Sequence, residues 1–131
     1  GQGNCQEILC DDYDDLAYMA RMIVANRSYD YGVPCVSEQT IHVPAVREDE
    51  FLEAMQDAGA YLIEDADKIQ KLREVVFPDG EHISRDVVGR SPQVVGGMIG
   101  IDVAGFCCAS IAAARKMMYC PRKFCSRWPA M

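Results

Sequence analysis

The chain has 131 residues, half of them apolar and a quarter charged, which fits one globular domain large enough to bury a proper core. A formal net charge of −7 argues against nucleic acid as a partner, because phosphate binding needs clustered Lys and Arg. No apolar run approaches the ~20 residues of a membrane span, and no basic-then-apolar secretory leader is visible.

The chain opens on Gly1-Gln2-Gly3-Asn4 without an initiator methionine, which suggests a processed product or a fragment. Gln6 to Cys10 is short and partly apolar and reads as a strand. Asp11-Asp12-Tyr13-Asp14-Asp15 then supplies carboxylates at a helix start, where negative charge suits the macrodipole. A calcium loop would need alternating ligands around a central glycine, and that pattern is missing. Leu16, Met19, Met22 and Ile23 follow at three- and four-residue steps, predicting an amphipathic helix.

Next comes Ser28-Tyr29-Asp30-Tyr31-Gly32-Val33-Pro34-Cys35, a cysteine on a Gly-Val-Pro turn, directly before a strand-like run from Val36 to Val43 that Pro44 closes. A turn between regular elements keeps a thiol reachable, and covalent catalysis needs a strong nucleophile on a rigid edge. The plainer reading is a small buried hydrophobe, since free cysteine is among the most buried residue types. From the residues alone both readings stay open.

Glu48-Asp49-Glu50 opens a second helix with Phe51, Leu52 and Met55 on one face and Gly59 as its C′ residue. Ala60 to Ile63 is a short apolar strand. A third helix follows, with Ile69, Leu72, Val75 and Val76 as its stripe, stopped at Pro78-Asp79-Gly80. Val87-Val88 reads as another short strand. Ser91-Pro92 then starts a helix with Val94, Val95, Met98 and Ile99 as its apolar face, and Gly100 ends it. Strands alternating with helices of this length predict an α/β layered domain. The apolar-rich stretch from Ala104 to Tyr119 reads as an irregular or helical tail.

Charge and cysteine content change abruptly near Asp102. All 20 acidic residues lie at or before it, with 8 of the 13 basic ones; Arg115, Lys116, Arg122, Lys123 and Arg127 follow without an acid. Cys5, Cys10 and Cys35 precede the break, and Cys107, Cys108, Cys120 and Cys125 crowd the last 29 residues. Seven cysteines, an odd number, with no secretory signal fit a reducing cytosol.

Taken in order, these motifs resemble the CoA-acylating branch of the aldehyde dehydrogenase superfamily. Gly1-Gln2-Gly3-Asn4 is similar to that branch's G-x-G-N turn. Tyr29-Asp30-Tyr31-Gly32-Val33-Pro34-Cys35-Val36-Ser37-Glu38-Gln39 is similar to its F-D-N-G-x-x-C-x-S/A-E-Q pattern. The likeness continues through Glu53 to Leu62, at Val88-Gly89-Arg90-Ser91-Pro92 and at Gly100-Ile101-Asp102-Val103, then stops. It implies that residues 1–103 form part of a three-layer αβα catalytic domain, with 104–131 as a basic, cysteine-rich tail.

The resemblance also implies a mechanism. The Cys35 thiolate attacks an aldehyde carbonyl, hydride leaves to NAD(P), and the resulting thioester passes its acyl group to CoA, with backbone N–H groups near the cysteine holding the oxyanion. Partners would be a small aldehyde and CoA, with homo-oligomerisation and residence in a bacterial microcompartment left open. The nucleotide-binding domain of such enzymes would precede residue 1, so this chain alone is expected to be inactive.

Two residues depart from the pattern. Tyr31 stands where the family has asparagine, at the mouth of the substrate tunnel, and Cys10 stands where an aliphatic or acidic residue is usual. Glu38 reads as a structural carboxylate accepting from backbone N–H groups. His42 reads as a packed strand residue, and His82 as a loop residue without an evident partner. A reading-frame shift near Val103 would explain the changed charge, cysteine content and family match together. The alternative is a non-catalytic module whose Cys107, Cys108, Cys120 and Cys125 hold a metal, but adjacent cysteines and a four-residue gap fit zinc spacing poorly.

Overall fold

The computed structural model describes residues 5–103 and 110–112. Chain order is β1 (Cys5–Ile8), α1 (Leu16–Ser28), β2 (Glu38–His42), α2 (Glu48–Asp57), β3 (Tyr61–Ile63), α3 (Ala66–Val76), α4 (Pro92–Met98) and β4 (Ser110–Ala112). β1 and β2 pair in parallel, with Ile8 opposite His42, and β3 pairs in parallel with β4, Leu62 opposite Ile111. Parallel strands cannot be joined by a tight hairpin, so helices carry the chain back between them. This is the expected α/β class.

α1 begins where the acidic run predicts. Asp15 is its N-cap, and the carboxylate accepts from the Tyr18 N–H at 2.9 Å, satisfying one of the helix's orphan donors. The helix buries Leu16, Met19, Ala20, Ile23 and Val24, one stripe at three- and four-residue steps. Met22 falls off that stripe and is 43% exposed, unlike the expectation. The stripe meets Leu9, Ile41, Val43, and Phe51 and Met55 of α2, to form the first core. Phe51 and Met55 are the largest side chains sealed completely from solvent, each stabilising the fold by about 1.5–3 kcal/mol relative to exposure.

α2 ends in a Schellman motif. Gly59 takes a φ of 103°, the Gly59 N–H donates to the Gln56 carbonyl and the Ala60 N–H to the Met55 carbonyl, both at 2.9 Å. This reversal feeds the chain directly into β3. The second core gathers Ile63, Ile99, Ile101 and Val103. Ile69, Leu72 and Val75 of α3 pack against it but stay half-buried, so the predicted stripe is present without being sealed.

Four other expectations need correction. Val87-Val88 is not a strand: successive turn bonds, Val87 N–H to Ser84 carbonyl and Arg90 N–H to Val87 carbonyl, coil this stretch, and Val88 is exposed. In α4 the predicted apolar face is split. Only seven residues long, it seats Gly96 and the cap residue Ile99 in the core and leaves Val94 and Met98 outside. β2 starts at Glu38, so Val36 and Ser37 belong to the turn. Within the apolar stretch 104–119, Ser110–Ala112 forms a strand instead of a helix. Cys107, Cys108, Cys120 and Cys125, the proposed metal ligands, lie outside the described residues.

Candidate active site

The link from α1 to β2 builds the cysteine turn. α1 stops at Ser28, and Asp30 and Tyr31 then adopt left-handed conformations with φ of 47° and 51°, followed by Gly32 at 76°. Two consecutive non-glycine residues in that region carry strain of order 1–3 kcal/mol each and persist only where surrounding contacts impose them. The Val33 N–H donates back to the Asp30 carbonyl at 3.2 Å, and Pro34 fixes the backbone just before Cys35. The thiol of Cys35 stands exposed on the outer side of this turn. Among the described residues Cys35 therefore packs into neither core.

Beneath the turn lies a polar brace. Arg27, in the last turn of α1, donates from Nη1 to Ser37 Oγ at 2.9 Å, and Ser37 Oγ donates to the Pro34 carbonyl at 2.9 Å. Ser37 is only 4% exposed, and its hydroxyl is satisfied both as acceptor and as donor. One step outward, Asn26 Nδ2 donates to Glu38 Oε1 at 3.0 Å. The donor to Glu38 is thus a side-chain amide and not the backbone N–H groups expected. Its Oε2 is buried with no partner among the described residues. Among the described residues, no hydrogen bond engages the backbone N–H of Cys35 or Val36.

Other sequence candidates lie apart from this turn. His42 is half-exposed on β2, its Nε2 2.7 Å from Gln6 Oε1 of β1. His82 does have a partner: its Nδ1 lies 2.8 Å from Asp79 Oδ2 in the loop after α3. Cys5 and Cys10 are free thiols on β1 and just beyond it. No cluster of three or more metal-ligating side chains occurs among the described residues, and no described helix is long and apolar enough to cross a membrane. Arg27, Ser37 and Asn26 were not singled out from sequence. The available signal was a basic residue in the final helical turn and a serine two residues after the cysteine.

Comparison with known proteins bears on the resemblance. No family model matches the chain. Over 103 residues, 79% of its length, the chain is 35% identical to succinate-semialdehyde dehydrogenase (acetylating) from Clostridium kluyveri. Its fold superposes on propionaldehyde dehydrogenase from Rhodopseudomonas palustris, solved with bound propionyl-CoA, with a TM-score of 0.76, 28% identity and 82% of the chain covered. Over this segment the chain resembles the CoA-acylating aldehyde dehydrogenases in sequence and fold.

The chain spans only 22% of the Clostridium kluyveri relative and 24% of the Rhodopseudomonas palustris structure. An engineered glycolyl-CoA reductase with bound NADP+ is similar as well, with a TM-score of 0.76, 26% identity, 82% of this chain and 24% of that one. The described residues do not fit a dinucleotide. Pyrophosphate binds where a helix N-terminus offers free N–H groups and positive potential. α1 starts behind Asp14 and Asp15, α2 on Glu48, Asp49 and Glu50, and α3 behind Asp65 with Asp67 in its first turn. Those carboxylates would repel a phosphate. The remaining helix, α4, has seven residues and no glycine-rich turn before it.

Proposed function

We propose that this segment carries the acyl-transfer nucleophile of a CoA-acylating aldehyde dehydrogenase, with Cys35 as the residue that becomes acylated. The observation that carries the reading is the exposed thiol on a strained, braced turn whose sequence is similar to the cysteine pattern of that family. In the acyl-transfer half of the reaction, the Cys35 sulfur bonds the acyl carbon of a thioester, the carbonyl electrons move onto oxygen, and the CoA thiolate leaves as the carbonyl re-forms. The reverse path returns the acyl group to CoA. The N–H groups of Cys35 and Val36, which make no hydrogen bond among the described residues, would serve as donors to the oxyanion.

The oxidative half, in which an aldehyde loses hydride to a nicotinamide, requires a cofactor seat that the described residues do not supply. Turnover from aldehyde is therefore not expected of the 131-residue chain. We take Val103 as the boundary between the catalytic segment and the tail because the acidic residues end at Asp102, although Ser110–Ala112 still pairs with β3.

The test uses the purified chain with propionyl-CoA, followed by intact-mass and peptide mass spectrometry. Cys35 should acquire a propionyl group faster than the exposed Cys10, and Cys35→Ser should abolish that product. Equal acylation of the two cysteines would remove Cys35 from its role. Robust NADH production from chain, NAD, CoA and acetaldehyde would overturn the expectation of inactivity.

A further inference from the structure

We propose that Arg27 is a positioning residue for the Cys35 turn, bridging Gly32 on one side of the cysteine and Ser37 on the other. The proposal rests on the reading of Cys35 as nucleophile for its catalytic consequence, but not for its structural content.

Three observations converge on one guanidinium. Its Nη1 donates to Ser37 Oγ at 2.9 Å, and that hydroxyl passes the tie on to the Pro34 carbonyl. The guanidinium also lies close to Gly32: a Cβ built there would sit 3.0 Å from Arg27 Nη2 and 3.3 Å from both Cζ and the Arg27 carbonyl oxygen. A side chain at position 32 would thus crowd the brace and push the guanidinium aside by a few tenths of an ångström, besides suffering at a φ of 76°. The turn between these anchors holds Asp30 and Tyr31 in a conformation that neither prefers. Something must over-determine that backbone, and Arg27 is the side chain that touches both ends of the segment containing Cys35.

The chemistry favours arginine for this task. A planar fork can present one face to a glycine backbone while one amino group donates sideways, whereas a lysine ammonium offers one point of contact. The partner being tied, Ser37 Oγ, is neutral and buried, so Arg27 acts through geometry, not by pairing with an acid. Fixing the turn fixes the direction of the Cys35 Cβ and of the two neighbouring N–H groups. A misplacement of about 1 Å can cost a reacting pair as much as a hundredfold in rate.

The experiment compares the full chain with Arg27→Ala, Arg27→Lys and Ser37→Ala. Backbone 15N relaxation should give rigid amides, with order parameters of about 0.85, from Gly32 to Ser37 in the parent chain. In Arg27→Ala they should fall below about 0.6 over that segment while β1 and α2 stay rigid. Arg27→Lys, keeping the donor without the plane, should fall between the two. The ratio of Cys35 to Cys10 acylation by propionyl-CoA should drop at least tenfold in Arg27→Ala.

Unchanged order and an unchanged ratio in Arg27→Ala would overturn the proposal. Loss of order spread evenly through α1, β1 and β2 would also overturn it, marking Arg27 as a general stability residue. If Arg27→Ala does not fold, Arg27→Lys and Ser37→Ala give the same two readouts. If parent Cys35 proves no faster than Cys10, the nucleophile reading fails while the relaxation data still decide the role of Arg27.

Discussion

Gly96 and Val103 approach so closely that a methyl group on the glycine would lie 2.7 Å from Val103 Cγ2, and 3.0 Å from the Ile101 carbonyl oxygen. The approach is fixed by the end of α4, where Ile101 N–H returns to the Gly96 carbonyl at 2.8 Å and Gly100 takes a φ of 75°. Val103 is β-branched and buried at 8% exposure, so it has little freedom to move aside. The next residue, Gly97, has nothing within 4 Å of such a methyl. Two adjacent glycines should therefore respond with opposite signs. Gly97→Ala should stabilise the fold by about 0.5–1 kcal/mol through reduced unfolded-state entropy and better helix propensity. Gly96→Ala should destabilise it by about 1–3 kcal/mol through overpacking, in spite of the same propensity gain. Thermal or urea unfolding of the two variants checks both, and equal effects would contradict the contact.

Sequence periodicity located the elements whose burial is dictated by one continuous stripe. Leu16, Met19 and Ile23, and Phe51, Leu52 and Met55, are buried where their spacing places them. It failed where tertiary context decides. Val87 and Val88 are β-formers, but among the described residues they have no neighbouring strand and follow turn bonds instead. Val94 looks like a core residue on a helical wheel, but the short α4 turns Gly96 inward in its place. The exposed cysteine turn was legible because glycine, proline and cysteine mark it locally. Its brace was not, because Arg27–Ser37 and Asn26–Glu38 join residues that only the α1-to-β2 reversal brings together.

Arg47 should matter far more than the acid it pairs with. Its guanidinium reaches Glu50 Oε2 at 3.2 Å, but also donates to the backbone carbonyls of Asp11 and Tyr13, tying the loop after β1 to the start of α2. The Arg47 side chain is 15% exposed and that of Glu50 is 61% exposed. Removing the donor forfeits two hydrogen bonds to loop carbonyls, each worth about 0.5–1.5 kcal/mol net, whereas an exposed ion pair is worth less than about 1 kcal/mol. Arg47→Ala should thus lower stability by about 1–3 kcal/mol and Glu50→Gln by under about 1 kcal/mol. Chemical denaturation of both variants measures the difference, and equal losses would show that the ion pair carries the contact.

Tyr31 is the residue least suited to its backbone. It sits at φ 51° and ψ 33° with a mostly exposed ring, so little packing compensates the left-handed conformation. Asparagine tolerates that region several-fold better than most residues, while a β-branched side chain is a true outlier there. Tyr31→Asn should stabilise the chain by about 0.5–1 kcal/mol, and Tyr31→Val should destabilise it by about 1–2 kcal/mol. Unfolding midpoints read both. A stabilising valine would mean that the turn does not hold this backbone in solution.

The loop after α3 provides a pH-dependent local structure. Asp79 Oδ1 accepts from the backbone N–H groups of His82 at 2.7 Å and Glu81 at 2.9 Å, and Oδ2 lies 2.8 Å from His82 Nδ1. These donors hold the Asp79 carboxyl below the ordinary aspartate range, the His82 N–H most strongly, then the Glu81 N–H, then the imidazole. A depressed folded-state pKa contributes order at any pH above the unfolded value, and that contribution is lost as pH falls through the folded pKa. The Asp79 carboxyl carbon, followed by 13C NMR, should titrate below the free-aspartate midpoint. The Glu81 and His82 amides should shift with that same midpoint as their acceptor is protonated. His82→Ala should restore only part of the difference, because its backbone N–H, the largest contributor, remains. Complete restoration in that variant would instead make the imidazole the principal donor. Since the carboxylate is exposed, the effect should register in these local resonances and leave the unfolding midpoint of the two cores nearly unmoved.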